Sequence, residues 1–171
     1  IGSPVYVAEK VMLPAEQQIQ IEMLQNDGKT VSILFDEQTR EALGLVALRD
    51  ELREDAKQAI AQLNKMNVRS VMLTGDNSRT AKALASQLDI EWKAELLPED
   101  KLRLLSEMQS NSKIAMIGDG INDAPALAAA DIGIAMGSGT DVAIETADIA
   151  LLKSRVIDVA NLIALSRATM I

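Results

Sequence analysis

The pattern of apolar and polar positions differs on the two sides of residue 50. On the N-terminal side, residues 5–8 predict a short strand and residues 14–26 show apolar spacing typical of a helix. Two further apolar runs, residues 30–35 and 42–48, flank a short polar turn. Strand-like runs around such a turn favour an antiparallel hairpin. The first 48 residues are therefore predicted to form a small α+β unit.

From residue 50 onward, helix-like and strand-like segments alternate. Helices are predicted over residues 50–66, 78–88 and 98–108, after Asn122, after Thr140 and from Val156, and strands over residues 68–73, 91–96, 113–117, 132–136 and 149–152. Such alternation is typical of a parallel sheet covered by helices on both faces. We therefore predict a doubly wound α/β domain over residues 49–171.

The amino-acid composition argues against several classes of function. The net charge is -8 and aromatic residues make up only 2% of the chain, so a nucleic-acid-binding surface is not expected. The chain has no cysteine and no histidine, which excludes thiolate chemistry, histidine bases and soft-metal sites on these residues. No apolar run approaches the roughly 18 to 20 residues that cross a bilayer, so this segment by itself is expected to be soluble.

Three polar groups follow predicted strands or open a predicted helix. TGDN at residues 74–77 follows one strand, GDGIND at residues 118–123 follows another, and Lys101 lies early in a helix. Ligands of such folds bind at the carboxyl ends of the strands. Each group alone could be a helix cap, a turn or a solvated lysine. Together, a hydroxyl, a lysine and two carboxylates can hold a phosphoryl group with Mg²⁺.

Four motifs resemble, in this order and spacing, the phosphorylation domain of P-type cation-transporting ATPases of the heavy-metal branch. They are TGDN at 74–77, LPEDK at 97–101, GDGINDAPAL at 118–127 and GIAMGSGTDVAIETAD at 133–148. The resemblance implies a haloacid-dehalogenase-like, Rossmann-type fold. Residues 91–101 and the ETAD run look more like zinc/cadmium/lead exporters than copper exporters.

The resemblance also implies roles for single residues in the phosphorylation site. Asp119 would bind Mg²⁺, with Asp123 as a second metal ligand. Asn122 and Asp123 would shape the site and hold the phosphate and the lysine in place. Thr74 and Lys101 would contact the phosphoryl group. Gly75 and Asp76 would complete the TGDN loop.

Other residues resemble parts of the family's nucleotide site. Asp50 and Arg53 look like the Asp-x-x-Arg hinge motif that contacts the nucleotide, although Glu51 stands where many members have proline. Gly2 resembles the end of the glycine motif of the nucleotide-binding domain. The resemblance thus implies that residues 1–48 are the C-terminal part of that domain and that Gly2, Asp50, Arg53 and Thr74 contact ATP.

The sequence departs from the family pattern in one respect: it contains no DKTGT motif, which carries the phosphorylated Asp. Residues 35–39, FDEQT, follow an apolar run but lack the Lys and Gly and lie in the predicted hairpin. The resemblance then implies a fragment, inactive alone, whose nucleophile lies outside this chain. Because that strand is central in the family, we expect either a gap in the sheet between the strands at 68–73 and 113–117 or a strand supplied there by exchange.

The implied parent protein is an integral membrane ATPase that uses ATP and Mg²⁺ to move a heavy-metal cation. This fragment would lie on the cytoplasmic face of a membrane, the bacterial inner membrane in the favoured case. Its partners would be the remaining nucleotide-binding, actuator and transmembrane parts of the same polypeptide, and the transported cation would bind elsewhere.

Two alternatives remain open. A soluble haloacid-dehalogenase-like phosphatase needs a nucleophilic Asp at the end of an early strand, and no Asp here has that context. A non-catalytic module that binds Mg²⁺ or nucleotide needs no nucleophile. A DKTGT motif upstream in the parent gene would favour the transporter, and its absence there would favour the module.

Overall fold

The computed structural model describes residues 1–49, 51–137 and 139–169. The helices are α1 (Pro4–Ala8), α2 (Ala15–Asn26), α3 (Ala56–Lys65), α4 (Ser78–Leu88), α5 (Pro98–Gln109), α6 (Ala124–Ala129), α7 (Asp141–Thr146) and α8 (Ile157–Thr169). The strands are β1 (Lys29–Asp36), β2 (Glu41–Arg49), β3 (Val71–Leu73), β4 (Glu91–Lys93), β5 (Ala115–Gly118), β6 (Ile132–Ala135) and β7 (Ile149–Ala150).

The chain divides into two compact units. The first comprises Ile1–Leu52 and Thr74–Glu95, and the second comprises Arg53–Leu73 and Leu96–Ile171. The first unit thus takes in the TGDN segment as well as the predicted α+β part. The domain boundary after residue 48 stays a prediction.

The first unit is built on the predicted hairpin. β1 pairs antiparallel with β2, with an irregularity between Leu34 and Phe35. The apolar core on one face of this hairpin consists of Val7, Val11, Leu13, Ile21, Val31 and Ile33. The prediction of a strand over residues 5–8 is wrong, because these residues belong to α1. Pro4 occupies the first turn and the Ser3 side chain accepts a hydrogen bond from the Tyr6 amide, so local capping decides the conformation.

Helix α4 is fastened to the hairpin by a buried hydroxyl. Thr80 is 1% exposed, and its Oγ1 donates a hydrogen bond to the Lys29 carbonyl at 3.0 Å. The same oxygen accepts from Asn77 Nδ2 at 2.8 Å, and Asn77 Oδ1 caps the helix through the Thr80 amide. Arg79 adds bonds to Glu22 and Gln25 of α2. This polar contact fixes the start of α4, and with it the end of the TGDN motif, in the first unit.

Replacing Thr80 by valine should therefore destabilise the first unit. The shape of the side chain is kept, but the Lys29 carbonyl and the Asn77 amide lose their partner. Unsatisfied buried groups cost about 1–3 kcal/mol each, so we expect a loss of unfolding free energy in that range by urea denaturation. Thr146→Val is the control, because the Thr146 hydroxyl is exposed and bonds only within α7, to Val142. An equal effect of the two substitutions would contradict the assignment.

The second unit contains a parallel sheet of three strands in the order β5-β6-β7. β5 pairs parallel with β6, and β6 pairs parallel with β7. Its core consists of Leu105, Met116, Ala126, Leu127 and Ala143, contributed by β5 and the helices α5, α6 and α7. Parallel strands alternating with helices confirm the predicted α/β class.

The parallel sheet of the second unit does not extend from β5 to β3. Among the described residues, β3 belongs to a different sheet from β5, and β5 pairs only with β6. This is the expected gap between the strands predicted at 68–73 and 113–117. The edge of β5 that faces away from β6 thus has no described strand beside it, and Ile117 on β5 remains 39% exposed.

Helices α3 and α8 pack against each other in the second unit, where Ala59, Ile60, Leu63, Val159 and Ala160 are buried. Asp55 Oδ2 accepts a hydrogen bond of 2.7 Å from the Ile157 amide at the start of α8. Arg167 near the end of α8 donates to the Met66 carbonyl just after α3. Helix α3 begins at Ala56 rather than at the predicted residue 50.

Asp131 joins the start of β5 to the loop before β6. Its carboxylate accepts hydrogen bonds from Lys113 Nζ and from the Ile114 amide. The Lys113 hydrogen bond and, next, the Ile114 amide lower the pKa of Asp131 from 3.8 to about 2. A carboxylate with a lowered pKa stabilises the folded state above its ordinary pKa, and this stabilisation is lost as the pH falls towards the folded-state pKa.

Replacing Asp131 by asparagine should lower stability at pH 7 and remove part of the acid sensitivity. The wild-type chain should lose stability between about pH 4 and pH 2, and the variant should lose less over that range. Lys113→Gln is the control: it keeps the Ile114 bond, and Lys113 is 91% exposed, so its effect should be smaller and weakened by salt. Parallel pH profiles of Asp131→Asn and wild type, from thermal unfolding at each pH, would contradict this role.

Candidate functional site

The GDGIND loop begins where β5 ends at Gly118. Its last three residues, Ile121–Asp123, form a short 3-10 helix that leads into α6, and Pro125 lies in the first turn of α6. The Gly118 carbonyl accepts from the Met136 amide at 3.0 Å, and the Asp119 carbonyl accepts from the Thr140 amide at 2.9 Å. Backbone bonds from the segment after β6 thus hold the loop at the carboxyl end of the sheet.

The structure brings Lys101 and Asp123 together. Lys101 Nζ lies 2.7 Å from Asp123 Oδ1, and the two side chains are only 12% and 17% exposed. Lys101 sits in the first turn of α5, which starts with Pro98 and has Asp100 Oδ2 bonded to the Leu97 amide. This local capping directs where the helix begins and so where Lys101 lies. An ion pair so largely withdrawn from water holds the lysine side chain in one place.

Gly118 makes room for Asp123. A Cβ atom at position 118 would lie 2.7 Å from Asp123 Cβ and 3.0 Å from its Oδ2. One oxygen of Asp123 therefore bonds to Lys101 and the other lies against the Gly118 backbone. A carboxylate confined on both sides in this way is suited to positioning the lysine.

Asp119 is the open carboxylate of the loop. Its side chain is 57% exposed, and Oδ2 lies 3.9 Å from Arg53 Nη2. Asn122, three residues further along the same loop, is also exposed. An exposed carboxylate on a loop with a fixed backbone is available to a cation from solvent.

The donor set fits Mg²⁺. In the described part of the chain, no group of three or more acidic, histidine or cysteine side chains could hold a metal ion. Mg²⁺ does not require three protein side chains. It commonly binds one or two carboxylates, and water and phosphoryl oxygens complete its coordination. Asp119, with Asp123 second, supplies such carboxylates, although one Asp123 oxygen is already bonded to Lys101.

The TGDN loop lies in the first unit, and its first and third residues, Thr74 and Asp76, are hydrogen-bonded to each other. Thr74 Oγ1 donates to Asp76 Oδ2 and accepts from the Asp76 amide, both at 3.1 Å. The Thr74 amide donates to the Lys93 carbonyl and the Glu95 amide donates to the Asp76 carbonyl. Gly75 is exposed at the tip. The loop therefore has a defined backbone, while the phosphoryl contacts of Thr74, Gly75 and Asp76 stay predictions.

The predicted nucleotide contacts have different surroundings. Gly2 forms a two-bond bridge with Ile33 of β1, and a Cβ atom there would lie 2.7 Å from Tyr6 Cδ1, so the structure gives this glycine a packing role. Arg53 Nη1 donates to the Ser154 carbonyl at 2.8 Å. Asp50 lies outside the described residues. A role of these residues towards ATP stays a prediction.

Sequence reasoning missed two supports of the loop. The sequence pattern predicts only that a helix begins after Thr140, yet the Thr140 amide donates a hydrogen bond to the Asp119 carbonyl. A Cβ atom on Gly139 would lie 2.8 Å from the Met136 carbonyl oxygen and 3.2 Å from that of Asp119. The signal was present in the glycine-rich MGSGT run, which contributed to the resemblance but received no role.

Comparison with known proteins gives consistent relatives. A haloacid dehalogenase-like hydrolase family model matches residues 1–131, and a second model of the same description matches residues 102–162. The zinc/cadmium/lead-transporting P-type ATPase of Escherichia coli is 51% identical over 149 residues, which are 87% of this chain and 20% of that protein. The probable copper-importing P-type ATPase A of Enterococcus hirae is 46% identical over 173 residues. The match covers 99% of this chain and 24% of that protein.

Solved structures agree with these relatives. The crystal structure of a zinc-transporting PIB-type ATPase in the E2.Pi state superimposes with a TM-score of 0.77 at 49% identity, covering 91% of this chain and 26% of that one. The chain thus spans about a quarter or less of the proteins that it matches. None of the described helices is long and apolar enough to cross a membrane. The chain belongs to the haloacid dehalogenase-like hydrolase family, and its relatives are heavy-metal P-type ATPases.

Proposed function

We propose that this chain is the magnesium and phosphate half of the phosphorylation site of a P-type ATPase that exports zinc, cadmium or lead. The observation that carries the proposal is the largely buried Lys101–Asp123 ion pair beside the exposed Asp119 at the end of β5. A fixed cation and an available carboxylate are what a phosphoryl group with Mg²⁺ requires.

Each residue of the second unit has a separate task in this proposal. Asp123 anchors Lys101, whose remaining N–H groups bind phosphoryl oxygens. Asp119 holds Mg²⁺, and Asn122 lines the loop. Bound Mg²⁺ supplies neutralisation of charge on the phosphoryl oxygens. Thr74, Gly75 and Asp76 are proposed as further phosphoryl contacts from their motif alone.

The phosphorylated Asp is proposed to come from a strand outside this chain. The open edge of β5 supports this, since a further parallel strand beside β5 would end next to the GDGIND loop. The chain alone should then be inactive. A peptide with an apolar strand followed by DKTGT should bind it, and this mixture is called the complemented chain below.

ATP is the proposed phosphate donor, with Gly2, Asp50 and Arg53 on the nucleotide side. The parent protein would place this fragment at the cytoplasmic face of a membrane, joined to nucleotide-binding, actuator and transmembrane parts. The transported cation is the substrate and would bind in the transmembrane part. The 51% identity to a zinc/cadmium/lead-transporting relative, against 46% to a copper-importing one, supports the assignment of the ion.

The coding sequence upstream of Ile1 tests the proposal. A DKTGT motif preceded by an apolar strand in the same reading frame is the expected result. A parent gene without this motif would contradict the transporter and favour a non-catalytic module that binds Mg²⁺ or nucleotide.

A further inference from the structure

Arg53 is held between two parts of the second unit. Its Nη1 donates a hydrogen bond of 2.8 Å to the Ser154 carbonyl, and its Nη2 lies 3.9 Å from Asp119 Oδ2. The first contact fixes the guanidinium group, and the second brings its charge to the carboxylate proposed to hold Mg²⁺. Arg53 therefore lies where binding of a cation to Asp119 would change the charge next to its guanidinium group.

The two carboxylates of the GDGIND loop have different cations. Asp123 is paired with Lys101 at 2.7 Å, and both side chains are largely withdrawn from water. The Arg53–Asp119 pair is longer and the side chains are 42% and 57% exposed. Exposed pairs change an equilibrium by at most about fivefold. We therefore expect the Lys101–Asp123 pair to stay formed. The Arg53–Asp119 pair is weak enough for a divalent cation to displace the arginine.

Arg53 is also connected to the start of the helical part of the second unit. Its carbonyl accepts a hydrogen bond from the Ala56 amide at the start of α3. Two residues further along from Arg53, the Asp55 carboxylate accepts from the Ile157 amide at the start of α8. These two bonds hold the backbone around Arg53 at the start of α3 and attach that segment to the start of α8.

We propose that Arg53 is the resident counter-cation of Asp119, which a divalent cation displaces when it binds this carboxylate. This inference rests on the proposed role of Asp119 and adds a linkage: occupancy of Asp119 frees the Arg53 side chain. The freed guanidinium group is then available to an anionic ligand.

Calorimetric titration of Mg²⁺ at low ionic strength tests this linkage. Arg53→Gln should bind Mg²⁺ about two- to fivefold more tightly than wild type, because the competing cation is gone. Arg53→Lys should stay near wild type. The matched control is Arg103→Gln, which removes the same charge from an exposed arginine paired with Asp100 on α5 and should leave Mg²⁺ affinity unchanged.

A second readout follows the side chain itself. The Nε–H resonance of Arg53, assigned by its loss in Arg53→Gln, should shift on Mg²⁺ saturation in wild type and stay unchanged in Asp119→Asn. If wild type binds Mg²⁺ but Arg53→Gln binds it equally or more weakly, the counter-cation role fails and the proposed function stands. If wild type binds no Mg²⁺, both fail.

Discussion

Replacing Gly118 by alanine should weaken binding of beryllofluoride, a phosphate analogue, to the complemented chain by about tenfold or more. The added Cβ would lie 2.7 Å from Asp123 Cβ, which is backbone-proximal and cannot swing away as the end of a flexible side chain could. Asp123 must therefore move, and Lys101, bonded to it at 2.7 Å, must move with it. Overpacking of this kind also costs about 1–3 kcal/mol of stability.

Gly120→Ala is the matched control for this substitution. It lies in the same loop, yet a Cβ atom there would have only the Asn122 amide within 4 Å, at 4.0 Å. We expect its stability and its affinity for beryllofluoride to remain close to wild type. Calorimetry and urea denaturation of both variants check the prediction. A Gly118→Ala variant with unchanged beryllofluoride affinity would contradict the role of Asp123 in positioning Lys101.

Replacing Asp119 by asparagine should abolish measurable Mg²⁺ binding. The substitution keeps the side-chain shape but removes the exposed charge of the loop, and losses of 10- to 100-fold in metal affinity already follow mutation of groups that only orient a ligand. Because Asp119 is 57% exposed and its backbone is held by the Thr140 amide, the fold should be kept. Mg²⁺ titration by calorimetry, with circular dichroism as the check on folding, measures the effect.

Asp36→Asn is the control for Asp119→Asn. Asp36 also follows an apolar run, but its Oδ1 accepts from the Gln38 and Thr39 amides and so stabilises the hairpin turn. The control should retain wild-type Mg²⁺ affinity. Equal affinities of wild type and Asp119→Asn would remove Asp119 from the metal site.

The elements with strong local signals were predicted from sequence. Helix α4 has the predicted bounds because Asn77 caps its first turn, and the hairpin follows from two apolar runs around a polar turn. The four apolar residues at positions 5–8 carry no helical period and so predict a strand, whereas Ser3 and Pro4 decide the conformation. The apolar pattern of a single sequence takes little account of such short helix-capping segments.

The site was predictable only in part, and for a physical reason. Lys101 and Asp123 are 22 residues apart, and only the motif order suggested that they meet; the structure joins them in an ion pair. The contact of Arg53 with Ser154 and the support of Asp119 by Thr140 use backbone groups, which every residue carries. Such bonds have no signature in residue type, so they become visible only in the folded chain.

Calorimetric titration of beryllofluoride into the chain at constant Mg²⁺ measures whether this chain is half of a phosphorylation site. The measurement is made with and without the peptide that carries an apolar strand and DKTGT. We expect beryllofluoride to bind only when the peptide is present, because the open edge of β5 lacks the strand that bears the nucleophile. Binding of beryllofluoride without the peptide would place a nucleophile within these 171 residues and would contradict the proposed half-site.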